Sequence, residues 1–282
     1  MSDYRINKYI IKGIIGNGAF GKVLHGEHER TKEKVAIKIE NKNTPYLLLK
    51  RETSILNHLH SLGSRNTPSI YWFGPWNNSL CMVIPLYDIS LYERRKQTKI
   101  SIENLNKTMI KSIDVLEFIH THFILHRDIK PHNFMIKNGQ LFLIDFGFAT
   151  FFIDENKNHI LPKSQEHIIG SPKYVSIHVH SGIESSRRDD LISLGYMYIY
   201  LQFGELEWDS IPKDQSCQAS DETNINHYKN RYIHSLKKIE NIDNIFSCQS
   251  PEIVNFLKYV YSLTFYETPQ YDKCKNLFDK TI

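Results

Sequence analysis

His126-Arg127-Asp128-Ile129-Lys130-Pro131-His132-Asn133 is the stretch from which the rest of the chain can be read. One loop supplies a carboxylate that can take a proton from a hydroxyl, a lysine that can offset phosphate charge, and an amide that can meet Mg2+. A chance polar loop is the competing reading, and the ordered spacing argues against it. Downstream, Asp145-Phe146-Gly147 follows the apolar run Leu141–Ile144. A carboxylate at a strand end, next to a glycine, is a natural second metal ligand. The tripeptide alone is a common chance match, but the two motifs in this order are not.

Towards the N-terminus, Val35-Ala36-Ile37-Lys38 places a lysine inside a β-branched run. An outward, solvated side chain is its ordinary explanation. Glu52 gives Lys38 more weight: it lies on a helix predicted over 46–62 from the spacing of Leu48, Ile55, Leu56 and Leu59. A Lys–Glu pair can hold an ammonium against the α and β phosphates of a nucleotide. Glu52 also reads as a surface residue beside Lys50 and Arg51. Further upstream, Gly16-Asn17-Gly18-Ala19-Phe20-Gly21-Lys22-Val23 fits G-x-G-x-x-G-x-V. Without Cβ atoms, glycines let backbone approach phosphate oxygens closely. A plain glycine turn is the alternative. A dinucleotide-binding Rossmann loop would have to open a helix, and the residues that follow are strand-like.

Strands are predicted at 9–15, 22–25, 35–39, 70–73 and 80–86, with a turn over 74–79. From about residue 90 the pattern is helical. Ile102, Leu105, Met109, Ile113, Leu116 and Ile119 mark one amphipathic helix with Ser101 as its N-cap, and further helices are expected near 189–203, 227–239, 251–263 and 271–280. The expected fold class is therefore α+β. A small β-rich lobe with one helix spans 1–85, a larger mainly helical lobe spans 86–282, and Pro85–Asp88 joins them.

Composition narrows the classes further. A chain of 282 residues can bury a sizeable core. Its 35 Lys+Arg against 31 Asp+Glu give a net charge of +4, too mild for a specific nucleic-acid binder with a dense basic stripe. Cys81, Cys217, Cys248 and Cys274 are scattered, which points to reduced thiols and an intracellular setting, cytoplasmic or nuclear. The polar N-terminus lacks the apolar core of a secretory signal. The apolar-rich run 191–203 is too short to cross a bilayer and reads as a buried helix.

Together these motifs resemble the eukaryotic protein kinase fold, and within it the casein kinase 1 family, over nearly the whole chain. Gly170-Ser171-Pro172-Lys173-Tyr174-Val175-Ser176 stands where casein kinase 1 enzymes carry G-T-A-R-Y-A-S and most kinases carry Ala-Pro-Glu. His180-Ser181-Gly182-Ile183-Glu184 and Ser186-Arg187-Arg188-Asp189-Asp190-Leu191 follow that family's H-L-G-I-E-x-S-R-R-D-D-L. Ser193-Leu194-Gly195-Tyr196 and Pro131-His132-Asn133-Phe134 continue the match.

The resemblance implies a bilobal kinase that moves the γ-phosphoryl of ATP, with Mg2+, to Ser/Thr hydroxyls of protein substrates. Asp128 would be the catalytic carboxylate and Lys130 the γ-phosphate partner. Asn133 and Asp145 would hold the metal, Lys38 and Glu52 would anchor phosphate, and Asp190 would hold the 126–127 turn. The glycines Gly16, Gly18 and Gly21 would cover the nucleotide. Ile15, Val23, Ala36, Met135 and Ile144 would sandwich adenine, with Ile84 guarding the back pocket and Tyr87 supplying a backbone donor. Arg187, Lys229 and Arg231 resemble a basic pocket for a phosphate already on the substrate, which implies a preference for acidic or primed sites; solvated surface residues are the alternative. His132 replaces an acidic residue, and the missing Ala-Pro-Glu glutamate removes the ion pair that usually steadies the activation segment. Casein kinase 1 enzymes commonly carry an inhibitory C-terminal tail, so its absence here leads us to expect a constitutively competent catalytic domain; a monomer is also expected. The rival readings are a catalytically silent pseudokinase scaffold and a small-molecule kinase.

Overall fold

Strand pairing accounts for the first part of the chain. The structure is a computed structural model, and it describes residues 5–18, 21–42, 48–209, 230, 232–237 and 250–279. The chain divides into two compact units: residues 1–90 with 135–149, and residues 91–134 with 150–282.

In the first unit, β1 (Arg5–Ile6), β2 (Tyr9–Gly18), β3 (Gly21–His28), β4 (Lys34–Asn41), β5 (Trp72–Trp76) and β6 (Ser79–Pro85) form a six-stranded sheet ordered β1-β2-β3-β4-β6-β5. Neighbouring strands are antiparallel throughout. Period-two alternation along β4 sends Val35 and Ile37 to one face, where they pack with Ile6, Tyr9, Leu24, Cys81 and Val83. The same alternation turns Ala36, Lys38 and Glu40 to the other face. Helix α1 (Leu48–Ser61) buries Leu49, Ile55, Leu56 and Leu59. Its first turn is capped from β4, because Glu40 Oε1 accepts from the Leu48 N–H at 3.0 Å and Glu40 Oε2 from the Leu49 N–H at 3.2 Å. A carboxylate at a helix N-terminus satisfies orphan donors and matches the helix dipole.

The sequence places a strand at 70–73 and a turn at 74–79, but the strand runs Trp72–Trp76 and the reversal is shorter. Asn77 takes the left-handed conformation (φ 51°), which makes the tight turn. Pro75 is tolerated inside β5 because that strand is at the sheet edge and its missing N–H breaks no ladder. Gly21 has a packing role of its own: at φ 145°, a Cβ there would lie 1.9 Å from the Ile39 carbonyl oxygen, so only glycine lets β3 lie against β4 at this point.

A second sheet orders β10 (Gln140–Leu143), β9 (Phe134–Lys137) and β7 (Ile89–Ser90). Asn66 fastens β10 by accepting the Leu143 N–H at its carbonyl (2.9 Å) and donating from Nδ2 to the Leu141 carbonyl (2.8 Å).

The second unit is mainly helical: α2 (Leu91–Gln97), α3 (Ile102–Thr121), α4 (Ile177–His180), α5 (Arg187–Phe203), α6 (Pro251–Ser262) and α7 (Tyr271–Asn276), with the short pair β8 (Ile124–Leu125) and β11 (Thr150–Phe151). Ser101 caps α3, its hydroxyl accepting from the Asn104 N–H. Every residue from Arg188 to Leu201 is buried, so α5 is the axis around which this unit packs. A Cβ on Gly195 would come within 2.5 Å of the Leu257 side chain, which shows how closely α6 approaches α5. Helix α7 ends at Asn276, short of the expected 280. Among the described residues no helix is long and apolar enough to cross a membrane. Cys81 and Cys274 are free and buried; Cys217 and Cys248 lie outside the described residues.

Candidate functional site

Three charged groups meet in the first unit. Lys38 is carried on the β4 face opposite the Val35–Ile37 core, Glu52 on the buried side of α1, and Asp145 just after β10. Lys38 Nζ donates to Glu52 Oε1 at 2.6 Å and to Asp145 Oδ1 at 2.9 Å. Glu52 Oε1 also accepts the Phe146 N–H at 3.1 Å, so the residue after Asp145 is tied to the same carboxylate. Burial opposes charge on Lys38, but Asp145 and Glu52 outweigh it and hold the ammonium above the ordinary lysine range. Glu52 is pushed above the ordinary carboxylate range, first by burial and then by Asp145, with Lys38 pulling the other way. Two carboxylates therefore share one ammonium and leave excess negative charge. Asp145 adopts a left-handed backbone (φ 66°, ψ 71°), unfavourable for a non-glycine residue and typical of functional turns.

A pocket opens beside this trio, lined by Gly21, Val23, Lys38, Glu52, Asp145 and Gly147, among others. The glycine-rich segment forms the β2–β3 hairpin, pairing Gly16 with Val23 and Gly18 with Gly21. Ala36 and Ile84 are cross-strand partners and both are buried. Val23, Met135 and Ile144 are half-buried, while Ile15 is 52% exposed. After β6, the Leu86 N–H donates to the Lys34 carbonyl and the Asp88 N–H to the Ile136 carbonyl. The Tyr87 N–H between them has no acceptor among the described residues, and the buried Tyr87 hydroxyl is also unpaired.

In the second unit, Asp128 is held from several sides. Its Oδ1 accepts from the Ser171 N–H (3.0 Å) and the Ser171 hydroxyl (2.8 Å). Its Oδ2 lies 2.8 Å from Lys130 Nζ and accepts from Asn133 Nδ2 at 3.1 Å. Asn133 Nδ2 also donates to the Asp128 carbonyl at 2.8 Å, and Lys130 Nζ donates to the Ser171 hydroxyl at 3.0 Å. Because the amide group of Asn133 is spent on Asp128, its Oδ1 is the atom left to meet a cation. Arg127 is left-handed (φ 66°), and a Cβ on Gly170 would fall 2.3 Å from the Arg127 carbonyl oxygen, so Gly170 permits the close approach that brings Ser171 to Asp128.

This turn is pinned from α5. Asp190, fully buried, accepts the His126 N–H at Oδ2 (2.8 Å) and the Arg127 N–H at Oδ1 (2.9 Å). His120 Nε2 lies 3.1 Å from Asp190 Oδ2, and its Nδ1 lies 2.8 Å from the Tyr271 hydroxyl. Burial raises the Asp190 carboxyl, yet the His120 bond and the charge and backbone donor of His126 outweigh it and hold the pKa below the ordinary value. Stability from Asp190 is therefore complete above the unfolded carboxyl pKa and lost as pH falls through the lower folded one. We expect thermal stability to drop on acidification below about pH 4 and this part of the drop to be missing in Asp190→Asn, measured by calorimetry against pH. Matching acid profiles for the two proteins would refute it.

His132 stacks on Tyr92 with ring centroids 3.8 Å apart, and burial followed by Lys130 holds its pKa below the usual histidine value. Arg187 is half-buried. Its Nη2 donates to the Tyr266 carbonyl at 2.6 Å and its guanidinium lies 4.9 Å from the centre of the Phe152 ring. Lys229 and Arg231 lie outside the described residues.

Ser171, His120, Tyr271 and Glu40 carry much of this geometry without having been singled out from sequence. Ser171 alone had a cue, its place after Gly170.

Within the first unit, carboxylate oxygens, an ammonium drawn in by surplus carboxylate charge, and an unpaired backbone N–H beside a buried apolar strand suit a nucleotide. Within the second, the carboxylate of Asp128 and the amide oxygen of Asn133 are donors that suit a hard cation. Comparison with known families matches residues 9–276 to the protein kinase domain. A phosphotransferase that uses ATP and acts on proteins is what that match implies. Since it spans almost the entire sequence, the chain belongs to the protein kinase domain family.

Proposed function

We propose that this chain is a serine/threonine protein kinase of casein kinase 1 type, dependent on Mg2+ and acting as a monomer in the cytoplasm or nucleus. The observation that carries the reading is the Lys38 ammonium bound at once by Glu52 and Asp145, which aligns the helix, the strand and the Asp145 turn on one point. The buried, multiply bonded Asp128 supports it.

In this reading Lys38 meets the α and β phosphates. Asn133 and Asp145 hold Mg2+, which when bound supplies positive charge against the phosphate oxygens. Asp128 accepts the proton of a substrate Ser or Thr hydroxyl as its oxygen bonds to the γ-phosphorus and the bond to the ADP oxygen breaks. Lys130 offsets charge on the phosphoryl group in flight. Lys130, two residues beyond Asp128, supports Ser/Thr over Tyr specificity, as the resemblance implies.

Incubating the full chain with Mg2+, labelled ATP and casein, followed by phosphoamino-acid analysis, tests the proposal. Label on serine or threonine that vanishes with chelator is expected. No label on any protein would favour the scaffold reading, and label on tyrosine alone would remove the specificity. The preference for acidic or primed sites is a further part of the proposal. Arg187→Ala should lower kcat/KM on a phospho-primed peptide roughly tenfold, the loss of one charge-assisted contact, and spare an unprimed one. Equal losses on both would refute a priming role.

A further inference from the structure

Lys237 is a lysine only 1% exposed, and no carboxylate among the described residues pairs with it. Its Nζ instead meets three backbone carbonyls: Val175 at 2.6 Å, Pro172 at 3.0 Å and Lys173 at 3.1 Å. Burial pushes the Lys237 pKa well below the ordinary lysine value, but the geometry opposes that: three acceptors call for three hydrogens, which only the ammonium form supplies. The rings of Trp208 and Tyr196 lie 4.7 Å and 4.9 Å from Nζ, and their faces favour a cation. Trp208 Nε1 donates to the Lys173 carbonyl as well, at 2.9 Å. His180 Nε2 lies 3.3 Å from Nζ and 2.9 Å from the Pro172 carbonyl oxygen; burial, then Lys237, pushes its pKa down to about 3, so its ring is neutral.

Burying an ammonium without a counter-ion is costly, and an apolar side chain of similar size would avoid that cost. It would also leave the three carbonyls without this donor. The role that fits both facts is to shape the backbone of 170–175. That turn presents Ser171, whose N–H and hydroxyl both bond Asp128 Oδ1. The missing Ala-Pro-Glu glutamate leaves the turn without its usual ionic anchor.

We propose that Lys237 is a positioning residue: it gathers the carbonyls of Pro172, Lys173 and Val175 and thereby holds Ser171 against Asp128. The inference rests on the kinase reading for its effect on rate, but not for its effect on the turn. Two amides report the turn directly, since the Tyr174 and Val175 N–H groups both donate to the Ser171 carbonyl.

The test uses the full chain with Lys237→Met and Lys237→Arg. Lys237→Met is expected to lower kcat on casein about 10- to 100-fold with KM for ATP unchanged, the scale of a misplaced catalytic group. Hydrogen exchange at Tyr174 and Val175 is expected to accelerate, and Lys237→Arg to restore part of both. In a Ser171→Ala background, Lys237→Met should cost little more, because the two act in series. Unchanged kcat, unchanged exchange or fully additive losses would each overturn the proposal, as would failure of both variants to fold, which would assign Lys237 to general stability. If the unsubstituted chain transfers no phosphate, the kinase reading fails, and exchange alone then decides the role of Lys237.

Discussion

Asp128→Asn should lower kcat by about 10²- to 10⁴-fold while leaving nucleotide affinity near its original value, the range expected when a positioned general base is removed. An amide cannot take the proton from the attacking hydroxyl. It also disturbs the hydrogen bonds: Oδ1 now accepts from Ser171 and Oδ2 faces Lys130 and Asn133, all of them donors. An amide nitrogen in either position would point a donor at a donor. The substitution therefore affects chemistry and the shape of the loop together, so the two must be measured apart. Single-turnover phosphoryl transfer reports the first, and nucleotide affinity by calorimetry the second. A variant that keeps more than a tenth of the original single-turnover rate would remove Asp128 from the proposed mechanism.

Asp145→Asn is the second large effect. We expect Mg2+-dependent transfer to casein to fall roughly 10³-fold, corresponding to about 4 kcal/mol of lost charge stabilisation. Lys38 would keep Glu52 at 2.6 Å, so the strand–helix connection survives and the fold should hold. Removing Asp145 also removes a group that pushes the Glu52 pKa upward, so Glu52 should titrate closer to the ordinary carboxylate value. The two consequences separate by assay. Thermal shift should show that ATP with Mg2+ no longer stabilises the variant more than ATP with chelator does. If the metal-dependent part of the shift persists at full size, Asp145 is not a metal ligand.

Features set by short-range pattern were legible in the sequence. The loop 126–133 and the strand leading to Asp145 could be read because strand alternation and turn composition act over a few residues. Lys38 and Glu52 could be paired as candidates because a strand lysine and a glutamate on the next helix are complementary charges, although each alone also read as a solvated side chain. Of the expected 227–239 helix, residues 230 and 232–237 are described, and 230 and 232–236 are helical; the others lie outside the described residues. What sequence could not show was the set of long-range bonds. Ser171 reaches Asp128 across 43 residues, and His120 meets Tyr271 across 151. No periodicity encodes such pairs, because they exist only after α3, α5 and α7 have packed. Gly21 taught a different lesson. Its place in a phosphate-loop pattern was visible, yet its backbone is demanded by contact with Ile39. The β5 shift arose because Gly74 and Pro75 look like turn residues, while an edge strand accepts both.

Glu40 has a consequence for how this kinase domain can be controlled. It stands two residues after Lys38 on the same strand and grips the first amides of the helix that carries Glu52. Strand and helix are thus fastened at two points, and swinging the helix outward must release both. Losing such a cap costs about 1 kcal/mol. A small molecule or regulatory protein that binds only the swung-out form would forfeit roughly fivefold in affinity to this one carboxylate. Compounds that tolerate the inward helix face no such handicap.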